Sequence, residues 1–176
     1  SLWLLAGCTS YGVVRNQPIS QIDPGRGYSL EVMAGKQRRN AGELSLAVAF
    51  SGGGTRAAAL SYGVLLELRD TQVRIDGHDK RLLDAIGLIS SVSGGSFTSA
   101  YYGLYGDRVF QDFEERFLRR DVEGALLRGL FDPLRWFSGR GRTEMAVDYY
   151  RAALFGDATF ADLLRPAGQR RAEMAA

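Results

Sequence analysis

Two strand–turn–helix units, one at each end of residues 44–107, constrain this chain more than any other feature. The first reads LSLAVAFSGGGTRAAALSYGVLLELRD over residues 44–70, the second AIGLISSVSGGSFTSAYYGLYGD over residues 85–107. Each opens with an apolar run of the kind expected for a strand covered on both faces. Each then turns through Gly and Ser and continues as a helical segment. Units of this type lay their strands parallel in an α/β sheet and bring both turns to one edge of it. The pattern predicts a strand over 44–50 and a helix over 56–68, with Ala57, Leu60, Val64 and Leu68 on one face. It predicts a second strand centred on 86–89 and a second helix over 96–105, with Phe97, Ala100, Tyr101 and Leu104 on one face.

The two turns differ in chemistry. Ser51-Gly52-Gly53-Gly54-Thr55 lets a ligand approach the main chain closely, because three of its residues lack side chains. It also sits at a helix N-terminus, where unpaired amides and the helix dipole favour negative charge. Three uses fit such a loop: a phosphate cradle, an oxyanion hole, or a tight connection with no ligand. The nucleotide-type cradle wants Gly-Lys-Ser/Thr, and this loop has Thr55-Arg56. The second turn, Ser91-Val92-Ser93-Gly94-Gly95, fits the nucleophile elbow G-x-S-x-G, with Ser91 in place of the first glycine. Small residues are needed on both sides of the elbow because the strand turns sharply into the helix. Ser93 is therefore a candidate nucleophile whose alkoxide the following helix dipole would stabilise. An amide-rich loop beside an exposed serine is the pair of parts that acyl transfer needs.

Strand-SGGGTR-helix followed by strand-SVSGGS-helix resembles the patatin-like phospholipases. The resemblance rests on residues 44–107. It implies a three-layer α/β fold with a mostly parallel central sheet, incomplete in this chain. It also implies a serine acyl hydrolase, a lipase or phospholipase, that cleaves lipid acyl esters through an acyl-serine intermediate without a cofactor. Carried over residue by residue, it makes Ser93 the nucleophile. Gly52, Gly53, Gly54 and Gly94 become the oxyanion hole, and Arg56 matches the basic residue after the glycine loop, a substrate-binding candidate. The base implied is an aspartate in a downstream Asp-Gly motif, which makes the site a Ser–Asp dyad.

The residues after Ser93 agree that no histidine serves it. The single histidine, His78, lies before the elbow in a charged stretch, 71–81, that reads as a solvated connection. A carboxylate would then have to act as base, with its pKa raised by burial. Asp107, Asp112, Asp121, Asp132, Asp148, Asp157 and Asp162 follow Ser93, and none precedes a glycine. Asp76-Gly77 has the dipeptide but precedes the elbow. The chain is thus expected to be the N-terminal part of a longer protein, with the dyad aspartate beyond Ala176. Segments 112–118, 122–130, 143–154 and 160–164 read as helices that add no strand. Leu130, Phe131, Leu134, Trp136 and Phe137 read as core packing or a lipid-facing cap.

Composition bounds the partners. Lys and Arg number 22 against 20 Asp and Glu, interspersed to a net charge of +2, which argues against a nucleic-acid binder. One cysteine excludes an intrachain disulfide, and one Cys with one His argues against a structural zinc site, so no metal is expected. That cysteine ends the run Leu5-Ala6-Gly7-Cys8, which resembles a bacterial lipobox whose cysteine takes a diacylglycerol; the alternative is a buried core cysteine. With the lipobox, residues 1–8 are the remnant of a lipoprotein signal and 9–43 a tether. Residues 44–176 are then the N-terminal part of the patatin-like domain. The partners are a lipid or phospholipid substrate and a membrane reached through the anchor, each acyl methylene adding about 0.8 kcal/mol of affinity. Thr9 after the cysteine, where Asp would favour the inner membrane, points to the outer membrane of a bacterial envelope. Two rivals remain: a truncated, non-catalytic lipoprotein that binds lipid or a partner, and an acyltransferase using the same serine.

Overall fold

The computed structural model of this chain describes residues 20–21, 44–121 and 142–164. Strands β1 (Leu46–Phe50) and β4 (Ile86–Ser91) pair in parallel. After one slip between Leu46 and Ala47, Val48 lies opposite Ile89, Ala49 opposite Ser90 and Phe50 opposite Ser91. This register ends both strands level, so the turns that follow leave the sheet side by side. The Val92 amide donates to the Phe50 carbonyl at 3.1 Å and carries the pairing one residue further.

Helix α1 (Gly54–Asp70) runs back from the first turn, ending where the Thr71 amide donates to the Glu67 carbonyl at 2.9 Å. Arg69 in its last turn suits the negative end of the dipole and lies over the Phe110 ring at 4.7 Å. The buried face is not the expected one. α1 buries Ala58, Ser61, Tyr62 and Leu65, whereas Leu60 is 72% exposed. Packing against helix α2 (Gly94–Tyr105) decides this: Ala58 and Tyr62 share a core with Tyr101, and the small Ala58 lets the helices come close. Leu60 and Val64 are left lining an opening beside β1.

Residues 71–81, expected as a solvated connection, instead form a hairpin of β2 (Gln72–Ile75) and β3 (His78–Arg81). Its turn residues Asp76 and Gly77 have φ of 51° and 75°, the left-handed pair that a two-residue hairpin loop requires. The pairs Arg74–Asp79 and Lys80–Asp76 are solvent-exposed, and such pairs contribute about 1 kcal/mol at most. Buried Ile75 and the turn therefore hold the hairpin more than its charges do. Arg81 bonds Asp84 at 2.6 Å and Asp107 at 2.9 Å, tying the hairpin to the region just past the C-terminus of α2.

Beyond α2 come α3 (Val109–Phe113), a wider π-helical turn Glu114–Leu118, α4 (Arg142–Tyr150) with its π-helical continuation Arg151–Phe155, and a short 3-10 turn Phe160–Leu164. These match the expected helices at 112–118, 143–154 and 160–164, and among the described residues they add no strand to the sheet. They pack through rings: Phe97–Tyr150 at 4.4 Å, Tyr101–Phe113 at 5.0 Å and Phe113–Phe117 at 5.4 Å between centroids. Such pairs add about 0.5–1.5 kcal/mol each beyond their buried area. A second cluster, Phe50, Leu65 and Leu83, joins α1 to β1 and to the tight turn Leu82–Ala85. The result is an incomplete α/β fold around one parallel strand pair, as expected. The helix expected at 122–130, the apolar residues from Leu130 to Phe137, and Cys8 lie outside the described residues.

Candidate active site

The strand-to-helix turn after β4 forces Ser93 into φ 49°, ψ −118°. Among the described residues only Asp76 shares a positive φ without being glycine. Holding an L-residue there costs on the order of 1–3 kcal/mol. The turn is closed by the Gly95 amide on the Val92 carbonyl at 3.2 Å and the Ser96 amide on the Ser93 carbonyl at 2.9 Å. This is the sharp elbow that the sequence pattern called for, and it leaves Ser93 exposed.

The glycines are where two backbones meet. A Cβ on buried Gly94 would overlap the carbonyl oxygen of Gly54 and sit 2.9 Å from its carbonyl carbon. A Cβ on Gly95 would lie 2.8 Å from the Ser51 carbonyl oxygen. A methyl group on Gly52 would lie 3.3 Å from Ser93 Cβ, so the first loop borders the serine directly. The structure thus brings Ser93, Gly52, Gly54 and Gly94 together, with Gly53 in the same loop.

Both helices begin here without help. Gly53 and Ser93 are the N-caps of α1 and α2, neither offers a side-chain cap, and neither first turn carries an acid. Ordinary helices use Ser, Thr, Asp or Asn to satisfy these amides. Here two uncapped N-termini meet at Gly54 and Gly94, and their dipoles reinforce one another. That arrangement suits an oxygen that gains negative charge during a reaction.

Two polar side chains behind the turns, Thr98 and Ser99, carry no signal in the sequence. The Thr98 hydroxyl, fully buried, donates to the Ala58 carbonyl at 2.9 Å and links α2 to α1. The Ser99 hydroxyl donates to the Ser96 carbonyl at 3.2 Å and lies 2.6 Å from the Ser91 hydroxyl, which must then be the donor to it. Ser91 therefore does more than fit the elbow: it ties the end of β4 to the first turns of α2.

Beside the glycine loop lies a cavity of about 370 Å³. Its lining includes Val48, Ala49 and Phe50, three consecutive residues of β1, so it runs along the strand's edge and not one face. Leu60, Val64 and Arg56 of α1 form another wall, and Gly52 and Gly53 close the end nearest the serine. Ser93 borders Gly52 but is not itself part of the cavity's lining. Arg56 is exposed and makes no ion pair among the described residues.

Four of the candidate aspartates have partners away from the turns. Asp107 is bonded to Arg81. Asp112 accepts from Tyr101 at 2.7 Å and Arg108 at 2.9 Å. Asp157 pairs with Arg151, and Asp162 accepts from the Thr159 amide at 2.7 Å. Asp132 lies outside the described residues, and Asp121 and Asp148 are exposed. Asp76 forms the hairpin turn, where exposed His78 places Nδ1 2.8 Å from its carbonyl. No group of three or more His, Cys, Asp or Glu among the described residues is placed to hold a metal.

A family model described as patatin-like phospholipase matches residues 48–174. No curated protein and no solved structure matches the chain.

Proposed function

Because this chain belongs to the patatin-like phospholipase family, whose members act on lipids, we propose that it is a serine acyl hydrolase with Ser93 as nucleophile. The observation that carries this reading is the meeting of a strained, exposed Ser93 with the amide-rich loop at Gly52. Ser93 Oγ attacks the carbonyl carbon of a lipid ester while a carboxylate base takes its proton. The carbonyl oxygen becomes an oxyanion held by amides of the glycine loop and of Gly94. The ester bond breaks, the alcohol leaves with the proton, and the acyl group stays on Ser93. Water, deprotonated by the same base, then releases the fatty acid and restores the serine. Each oxyanion donor of this kind is worth about 3–4 kcal/mol in the transition state. Arg56, beside the loop and without an ion pair among the described residues, is suited to an anionic group on the substrate, such as a lipid phosphate.

The test uses the full-length protein with a p-nitrophenyl ester and a fluorophosphonate probe. Wild type is expected to hydrolyse the ester and take one label, and Ser93→Ala to do neither while melting at a similar temperature. Hydrolysis by a folded Ser93→Ala protein would sink the proposal. One observation favours a second reading, a non-catalytic lipid-binding module: the described aspartates that follow Ser93 with known partners serve ion pairs and turns. Lipid binding by wild type without any labelling would select it.

We also propose that Cys8 carries a lipid anchor that holds the enzyme to a bacterial outer membrane. Support comes from Leu5-Ala6-Gly7 before the single cysteine and Thr9 after it. An intact mass showing acyl chains at residue 8 supports this, and an unmodified thiol rejects it.

A further inference from the structure

We propose that Thr98 is a positioning residue that sets the distance between the oxyanion loop and the nucleophile; the inference rests on the reading of Ser93 and the glycine loop given above. α1 and α2 carry the two halves of the site on their first residues. They meet first at Gly54 and Gly94, where main chain touches main chain. One turn further along each helix, four residues on, stand Ala58 and Thr98. Both are fully buried, and the Thr98 hydroxyl donates to the Ala58 carbonyl at 2.9 Å. The same separation of 40 residues therefore relates the hydrogen-bonded pair to the glycine pair above it. The crossing is held at two levels, by contact at the top and by one hydrogen bond beneath.

The upper contact resists approach but not separation. Gly54 and Gly94 have no side chains to interlock, so at that level the two units are held only through the paired strands that lead into the turns. The Thr98 bond adds a direct tie between the helices. It is directional and buried, and its acceptor belongs to the helix that the glycine loop leads into. Ser91 and Ser99 brace the elbow within its own unit, from β4 to α2. Thr98 is the described side-chain bond that runs from the nucleophile's helix to the oxyanion helix. An oxyanion donor works only at hydrogen-bond distance from the transition-state oxygen, and a shift of about 1 Å can cost about 100-fold in rate.

Thr98→Val keeps the shape of the side chain and removes the donor. In the full-length protein the expected result is a kcat on p-nitrophenyl butyrate lower by about tenfold or more, with KM changed by less than about twofold. Thr98→Ser keeps the hydroxyl and is expected to restore most of the rate. Val109→Ala serves as a control. It empties part of the buried cluster that holds Ala58, and is expected to lower the melting temperature while leaving kcat unchanged. A Thr98→Val enzyme with wild-type kcat overturns the proposal. So does a Thr98→Ser enzyme as slow as Thr98→Val, or a Val109→Ala enzyme that loses kcat in proportion to stability. An inactive, unlabelled wild type overturns the serine hydrolase reading and this inference together. An active wild type with a dead Ser93→Ala and a normal Thr98→Val removes this inference alone.

Discussion

At the scale of single residues, the site is built from positions where the usual preference is set aside. Ser93 occupies a backbone region that glycine tolerates and serine does not. The proposed nucleophilic role accounts for the strain, since it requires a side-chain oxygen at that point of the turn. Replacing it should therefore separate stability from activity. Ser93→Gly is expected to be inactive yet more stable than both wild type and Ser93→Ala, by about 1 kcal/mol. Thermal melts of the three proteins check this. A Ser93→Gly protein that melts no higher than Ser93→Ala would mean that the turn is relaxed. Gly94 presents the opposite case, since any side chain there meets the Gly54 carbonyl. Its glycine is demanded by the neighbouring backbone, and its own φ plays no part.

At the scale of elements, α2 starts just after the proposed nucleophile, Ser93, and carries buried Tyr101 and partly buried Tyr102 further along. Burial is the main cause that pushes both Tyr101 and Tyr102 up to about 12 from 10.0. The hydrogen bond from Tyr101 to Asp112 adds to its shift. Above pH 10 the unfolded chain releases these protons while the fold retains them. The stability they supply is complete below about pH 10 and is lost as pH rises through about 12. Alkaline titration is expected to show these tyrosines ionising only as helical signal disappears in that window. Ionisation of every tyrosine near pH 10 with the helices intact would refute it. Elements of this kind were legible in the sequence where the signal is local. The apolar runs of β1 and β4, the glycine loop and the small residues around Ser93 each declare themselves within a few positions. The Asp76-Gly77 hairpin signal was present too, but the charges around it suggested a solvated loop. In a hairpin whose outer side faces water, apolar alternation survives only at Val73 and Ile75. The buried face of α1 was not legible, because both of its faces are apolar. Leu60 and Val64 compete with Tyr62 and Leu65, and contact with α2 decides between them. Thr98 has no sequence signature at all: its function exists only once two helices 40 residues apart have crossed.

At the scale of the whole molecule, the single parallel strand pair among the described residues is little sheet for so much helix. Parallel strands are normally covered on both faces and flanked by further strands. Here the edge of β1 lines an open cavity, with Leu60, 72% exposed, on its wall. An edge with no partner among the described residues, beside exposed aliphatic side chains, invites association. The 176-residue chain is therefore expected to self-associate as its concentration rises, measured by light scattering. Leu60→Lys should weaken that association. Leucine and lysine have similar helix propensities, and a residue this exposed loses little buried area, so the melting temperature should change by the equivalent of less than about 0.5 kcal/mol. If the variant associates as strongly as wild type, the cohesive surface is elsewhere. If it stays monomeric but melts much lower, Leu60 is buried in solution. In that case the edge of β1 is already covered, and the opening beside the glycine loop is closed in the working protein.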